Sequence, residues 1–188
     1  MRLFHTRIEM IKALVPTGGV YAEVGVFEGT FSKKLQEELS PTTLYMIDLF
    51  EGICCSGDQD GNNVVNRDLN NEHEKLLVYA SQHPSIQIIK ARSYEFLATL
   101  PDNSLDMIYV DGDHSYEGCM KDLIVAYSKV KSGGWIMGHD YEMNKMKARN
   151  HYDFGVRQAA DEFCKTYNQT IAAKGLDGCV SFGIQLSK

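Results

Sequence analysis

Five ionisable side chains at the ends of two apolar runs could together do acid–base and metal chemistry. Asp111, Asp113 and His114 follow directly on Met107, Ile108, Tyr109 and Val110, and His139 and Asp140 lie near the end of the run WIMGHDY. A stretch of branched and aromatic residues that stops at charged side chains fits the carboxyl end of a central strand in an open α/β sheet, where ligands bind. Two carboxylates and an imidazole gathered at one rim could hold a divalent cation, lower the pKa of an alcohol bound to it and remove its proton. Asp111-Gly112-Asp113 is also ordinary turn chemistry, so the stretch alone leaves a structural turn open.

Alternating strands and helices must position these groups. Phe4, Ile8, Ile11 and Leu14, with Met10, recur at helical spacing before Pro16-Thr17-Gly18-Gly19, which predicts a helix from about Leu3 to Leu14 within an N-terminal segment of residues 1–18. The strand VYAEV, the glycine turn Gly25 to Thr30 and a helix with Phe31, Leu35 and Leu39 on one face then open a doubly wound fold. The strand LYMID ends in Asp48, an acid placed to accept hydrogen bonds from ribose hydroxyls. Residues 49–72 read as a long loop, with a lid over a ligand and a plain surface insertion both open. A helix over 73–80, the strand SIQIIKA, a helix over 94–100, the central strand and a helix carrying Met120, Leu123, Ile124, Tyr127 and Val130 continue the alternation. Ser132-Gly133-Gly134 is read as a turn into WIMGHDY, followed by a helix from Val156 to Tyr167 and two short strands over 170–172 and 179–186. The expected fold class is α/β: a Rossmann-like, doubly wound, mostly parallel sheet of about seven strands with an antiparallel C-terminal strand.

The bulk properties narrow the function. A chain of 188 residues with 44% apolar and 23% charged side chains suits one globular domain over residues 1–188. Its net charge of −6 and lack of a Lys/Arg run argue against nucleic acid as a partner. Charges interrupt the N-terminal stretch every few residues, so neither a leader nor a membrane span is expected, and a cytoplasmic location is. Five cysteines without a CxxC pair indicate neither a disulfide framework nor a zinc site; Cys119, Cys164 and Cys179 are expected to pack as small hydrophobes. Cys54-Cys55 in the polar loop has no assigned function, and His73, His83 and His151 are expected at the surface.

The glycine turn indicates what ligand it accepts. A dinucleotide fingerprint needs glycine at its second conserved position so that the pyrophosphate can approach the backbone, and here that position is Phe27. Glu28 and Glu23 add negative charge beside it, which suits a phosphate-free, positively charged ligand such as S-adenosylmethionine and disfavours a nicotinamide cofactor. AEVGVFEG resembles the first motif, E-x-G-x-x-x-G, of class I S-adenosylmethionine-dependent methyltransferases. VDGDHSYEG, followed by SGGWIMGHDY, is similar to a small-molecule subgroup that includes the metal-dependent macrolide-sugar and rhamnosyl O-methyltransferases, and the similarity runs from Val20 to Tyr141.

That resemblance implies roles for named positions. Glu23, Gly25, Glu28 and Gly29, with Phe27 in the same turn, would meet the methionine part of the cofactor. Asp48 and Leu49 would meet its ribose, and Arg92 and Ser93 its adenine side. Asp111 would ligate a divalent metal or the cofactor amine, with His139 and Asp140 completing the metal set. His139 departs from the Glu or Asp usual there. Oxygen-only ligation suits magnesium, whereas an imidazole favours manganese, iron, zinc or nickel, and weak or absent metal binding also stays open. His114 would be the catalytic base beside Asp111, with a helix cap or a purely structural role as its alternative. Asp113 would orient His114, bind the acceptor or share with Ser115 the capping of the following helix, and Tyr116 and Tyr141 would line the pocket or pack in the core. The implied activity is O-methylation of a small hydroxylated acceptor, a sugar or glycoside, by an enzyme whose homo-oligomeric state is left open. N-methylation and a non-catalytic cofactor-binding module are the alternatives, and Asp111-Gly112-Asp113-His114 does not match the N/D-P-P-Y of adenine N-methyltransferases.

Overall fold

The computed structural model describes residues 1–57, 64–142 and 155–188. A short strand β1 (Arg2–Phe4) precedes α1 (Arg7–Leu14), where the sequence suggested continuous helix from Leu3. Thr6 explains the later start: its side chain accepts a hydrogen bond from the Glu9 backbone N–H at 3.1 Å and fixes the first turn. Next come β2 (Val20–Val24), α2 (Thr30–Leu39) and β3 (Thr43–Asp48). The segment read as loop over 49–72 instead contains an antiparallel pair, β4 (Ile53–Gly57) and β5 (Val64–Asp68), and α3 (Leu69–Ser81) begins before residue 73. Asp68 accepts from the Asn70 backbone N–H at 3.0 Å and caps that helix. Residues 58–63, the middle of the lid candidate, lie outside the described residues.

After β6 (Ile86–Lys90) and α4 (Ser93–Thr99) come the central strand β7 (Leu105–Val110), α5 (Tyr116–Lys129) and β8 (Val130–Glu142). Strand β8 runs through Ser132-Gly133-Gly134, so the predicted turn is an irregular stretch of strand, with a register shift where β7 passes it. The chain ends with α6 (Val156–Thr166), β9 (Ala173–Gly175), which lies after the expected 170–172, and β10 (Val180–Gln185).

The main sheet has eight strands in the order β1-β9-β10-β8-β7-β2-β3-β6. Strands β6, β3, β2, β7 and β8 are mutually parallel, and β10 runs antiparallel to β8. The expected doubly wound α/β fold is present, extended by β1, which pairs with β9 at one edge. Strand periodicity divides the core between the two faces. Met107 and Tyr109 of β7 pack with Met10, Leu35 and Leu76 from α1, α2 and α3, while Ile108 and Val110 pack with Leu123 of α5 and Phe163 of α6. Burial on both faces accounts for the continuous apolar runs in the parallel strands. Among the described residues, no helix is long and apolar enough to cross a membrane.

Candidate active site

Parallel pairing brings the predicted residues to one rim. Val24 lies opposite Val110, and Val110 opposite Gly138, so Gly25, Asp111 and His139 emerge side by side from β2, β7 and β8. The Asp111 backbone N–H donates to the Val24 carbonyl at 2.8 Å, and that of Gly25 donates to the Ile47 carbonyl at 2.9 Å. Two cavities meet at this line and share Gly25, Phe27 and Asp111.

The first cavity, of about 590 Å³, is lined by Asp48, Leu49, Arg92 and Ser93 as well as Asp111 and His114. The two Asp48 oxygens accept from the Phe27 and Phe50 backbone N–H groups at 2.9 and 3.0 Å, so β3's terminal acid is fixed by the glycine turn and by its own chain. A carboxylate has about four lone-pair sites, which leaves acceptors for ligand hydroxyls. Ser93 donates to Asp122 at 2.5 Å, a further cavity acid to which the sequence alone assigned no role. Asp122 is 2% exposed, and burial raises its carboxyl to about 6 against the lowering effect of Ser93.

The second cavity, of about 500 Å³, holds Glu23 and Glu28 together with Arg7, Phe31 and Asp177. The residues assigned to the methionine part of a cofactor are therefore split from the ribose and adenine set by the turn itself. Gly29 lines neither cavity. It serves packing instead: its φ is +75° and an added Cβ would lie 2.4 Å from Leu76 Cδ2. Glu23 forms the floor, only 1% exposed, and accepts a hydrogen bond from the Ser32 hydroxyl. Burial pushes its carboxyl up to about 8, although Ser32 pulls the other way.

This raised value predicts a pH effect on stability. An acid with a higher pKa folded than unfolded keeps a proton in the native state that the unfolded chain has released, so stability falls as pH rises from 4.5 toward about 8. Glu23→Gln copies the protonated form. We expect its thermal midpoint to vary less than the wild-type midpoint between about pH 5 and about pH 8 and to exceed it at the upper end. Identical pH profiles for the two proteins would show that Glu23 is ionised in the fold.

His114, His139, Asp111 and Asp140 converge between the strand ends. His114 Nε2 lies 2.9 Å from Asp140 Oδ2 and 3.5 Å from Asp111 Oδ1, and His139 Nδ1 lies 3.4 and 3.7 Å from the same two atoms. Hydrogen bonds to Asp111 and Asp140 push His114 up to about 10, so in this arrangement the ring is an imidazolium and not the near-neutral base expected from its type. Asp140 is buried, which favours its neutral form, yet hydrogen bonds from His114 and His139 hold it well below the usual carboxylate range. Its φ of +55° places a non-glycine residue in the left-handed region, a local strain characteristic of functional positions. Asp111, His139 and Asp140 offer ligand atoms within 4.8 Å of one another, a spacing that one cation can span.

Neighbouring residues take other roles. Ser115 caps α5 by accepting from the Gly118 N–H at 3.0 Å, while Asp113 accepts from the Ser115 N–H at 2.9 Å and thus orders the cap. Tyr141 belongs to the core, its hydroxyl donating to Asp161 at 2.6 Å, and Tyr116 packs against the same core cluster. Cys119 and Cys164 are buried as expected, whereas the half-buried Cys179 departs from expectation in hydrogen-bonding Asp140. His73 and His83 are also half-buried, stacked on Phe50 and Tyr79 at 4.8 and 4.0 Å between centroids. Cys54 and Cys55 fall on β4, and His151 lies outside the described residues.

Known proteins share this fold. A family model described as a methyltransferase domain matches residues 22–141. An uncharacterised protein of Acanthamoeba polyphaga mimivirus is 29% identical over 150 residues, a match covering 75% of this chain and 62% of that protein, so the chain spans less than two thirds of this relative's length. Among solved structures, a SAM-dependent methyltransferase from Aquifex aeolicus superposes with a TM-score of 0.66 at 13% identity, covering 97% of this chain and 91% of that one. The N-methyltransferase NodS of Bradyrhizobium japonicum also gives 0.66, at 12% identity and with 97% and 95% coverage. At these identities the structures speak to the fold.

Proposed function

The chain belongs to the methyltransferase domain family, and from that membership we propose that it transfers the methyl group of S-adenosylmethionine to a hydroxyl of a small molecule, a sugar or glycoside. The observation that carries the reading is the junction at Asp111, where a cavity floored by the fixed Asp48 carboxylate meets the His114, His139 and Asp140 cluster. The donor set fits a phosphate-free nucleoside. Asp48 would accept from the ribose hydroxyls, and Arg92, Ser93 and Asp122 surround the adenine end. Phe27, with φ of +53°, sits where a dinucleotide fingerprint needs glycine.

Asp111, His139 and Asp140 would hold a divalent cation, which supplies Lewis acidity that lowers the pKa of an acceptor hydroxyl and fixes its position. The imidazole in that set suits manganese or another transition ion at least as well as magnesium. His114, 2.9 Å from Asp140, is the group placed to take the hydroxyl proton. Asp111 and Asp140, once engaged on a cation, would no longer keep the ring protonated, and this frees His114 to act as the base while the new O–C bond forms and the S–C bond of the sulfonium breaks. The products are the methyl ether and S-adenosylhomocysteine. A net charge of −6 and the sugar-enzyme resemblance of VDGDHSYEG support a neutral hydroxylated acceptor over nucleic acid.

The test is to incubate the protein with S-adenosylmethionine, manganese or magnesium and a panel of rhamnosides, hexoses and free amines, following S-adenosylhomocysteine. Turnover with hydroxyl acceptors that a chelator suppresses at least about tenfold is the expected result. Turnover confined to amines would replace this reading by N-methylation, and cofactor binding without turnover on any acceptor would replace it by a binding module.

A further inference from the structure

Arg7 carries no motif and no role in the proposed reaction, yet it stands at the rim. The Thr6 cap starts α1 at the sheet edge where the parallel strands end, and this puts Arg7 in the second cavity with Gly25, Phe27 and Asp111. Its guanidinium lies over the Phe31 ring, 4.5 Å from the centroid. Nη1 is 3.5 Å from Asp111 Oδ2 and Nε is 3.7 Å from Asp177 Oδ2. A charge-assisted N–H to carboxylate bond is about 2.7–2.9 Å long, so neither contact is a closed fork. The backbone N–H of Arg7, by contrast, donates to Asp177 at 2.7 Å, which anchors the helix start without engaging the side chain.

Asp111 faces both ways. Its Oδ1 is turned toward His114 and His139, and its Oδ2 toward Arg7. A nucleoside seated at Asp48 with a tail that crosses the glycine turn would bring that tail to the Arg7–Asp111 pair. A cation and an anion 3.5 Å apart, each with hydrogen-bonding capacity to spare, complement a zwitterion. Admitting one replaces a single loose ion pair with two closer ones.

We infer that Arg7 binds the α-carboxylate of the cofactor's amino-acid end, with Asp111 Oδ2 receiving its α-ammonium. This inference rests on the reading of S-adenosylmethionine as methyl donor. That cavity is also lined by carboxylates, Glu28 and Asp177 among them, and by a second cation, Lys34; Arg7 is the cation set against Asp111, 3.5 Å away, at the line where the two cavities meet.

Calorimetric titration with S-adenosylhomocysteine and with 5′-methylthioadenosine, which lacks the amino-acid end, separates a binding role from a structural one. Arg7→Gln is expected to weaken S-adenosylhomocysteine by about tenfold to a hundredfold and to leave methylthioadenosine within about twofold. Arg7→Lys, which keeps the charge without the fork, should fall between Arg7→Gln and wild type. Equal weakening of both ligands by the Arg7 variants, or no weakening of either, would overturn the inference. Wild-type protein that binds neither ligand would instead refute the cofactor reading on which it rests, whereas equal wild-type affinity for the two ligands would spare that reading and sink only the role of Arg7.

Discussion

Replacing Gly25 with Ala is expected to destabilise the protein by about 2–5 kcal/mol and to abolish S-adenosylhomocysteine binding at micromolar concentrations. Gly25 has φ of +83°, where a side chain costs about 1–2 kcal/mol. Its missing Cβ is also what lets β2 and β7 close on each other. A Cβ there would lie 2.0 Å from the Asp111 carbonyl oxygen, 2.4 Å from its carbonyl carbon and 2.6 Å from Gly112 Cα. These obstacles are backbone, so relief requires moving the end of β7, at about 1–3 kcal/mol more. That movement displaces Asp111, the residue on which both cavities and the acid–base cluster converge. Gly18 provides the comparison: its φ is +73° and nothing lies within 4 Å of an added Cβ, so Gly18→Ala should show the backbone term alone. Urea unfolding of the two variants, with a ligand titration of each, measures the difference. Equal destabilisation, with binding retained in both, would mean that the glycine turn is merely a turn.

The parallel core of the fold was legible because β2, β3, β7 and β8 are covered on both faces and read as apolar runs with sharp ends. Local pattern was a poorer guide wherever a long-range partner decides the structure. Residues 2–4 carry Leu3 and Phe4 at spacing compatible with the helix that follows, and their strand conformation comes from pairing with β9 about 170 positions away. One signal was available there, since Thr6-Arg7-Ile8-Glu9 is the S/T-x-x-E signature of a helix start and implies that Arg7 opens α1. Asp122 could have been noticed as an acid on the buried face that carries Cys119, Leu123 and Ala126. The pair β4 and β5 lacks an apolar alternation, so its glycines and polar residues read as loop. At the site, the three-residue spacing of Asp111 and His114 was plain, but the protonation of His114 depends also on Asp140 from another strand, and no local pattern encodes that.

His114→Ala is expected to reduce methyl transfer by about 10²–10⁴-fold while changing affinity for S-adenosylhomocysteine by less than about threefold. The asymmetry follows from position. His114 Nε2 lies by Asp140 and Asp111 Oδ1, whereas Arg7 meets Asp111 Oδ2 and Asp48 is fixed by the Phe27 and Phe50 N–H groups. Neither cofactor group is thus held by the ring, although His114 borders the same cavity as Asp48 and Ser93. Removing the ring deprives the hydroxyl proton of its acceptor, because a carboxylate held as acidic as Asp140 is a poor base. The ring also offsets the repulsion between two carboxylates, so the variant should melt at a lower temperature, and lost stability must be told apart from lost chemistry. Imidazole added in solution can fill the vacated volume and carry the proton without restoring the covalent link. Partial recovery of turnover with imidazole, at unchanged S-adenosylhomocysteine affinity, is the expected signature of a base. Parallel loss of turnover and of cofactor affinity, with no recovery on adding imidazole, would make His114 a clamp for Asp111 and Asp140 and return the proton's path to the pair of carboxylates themselves.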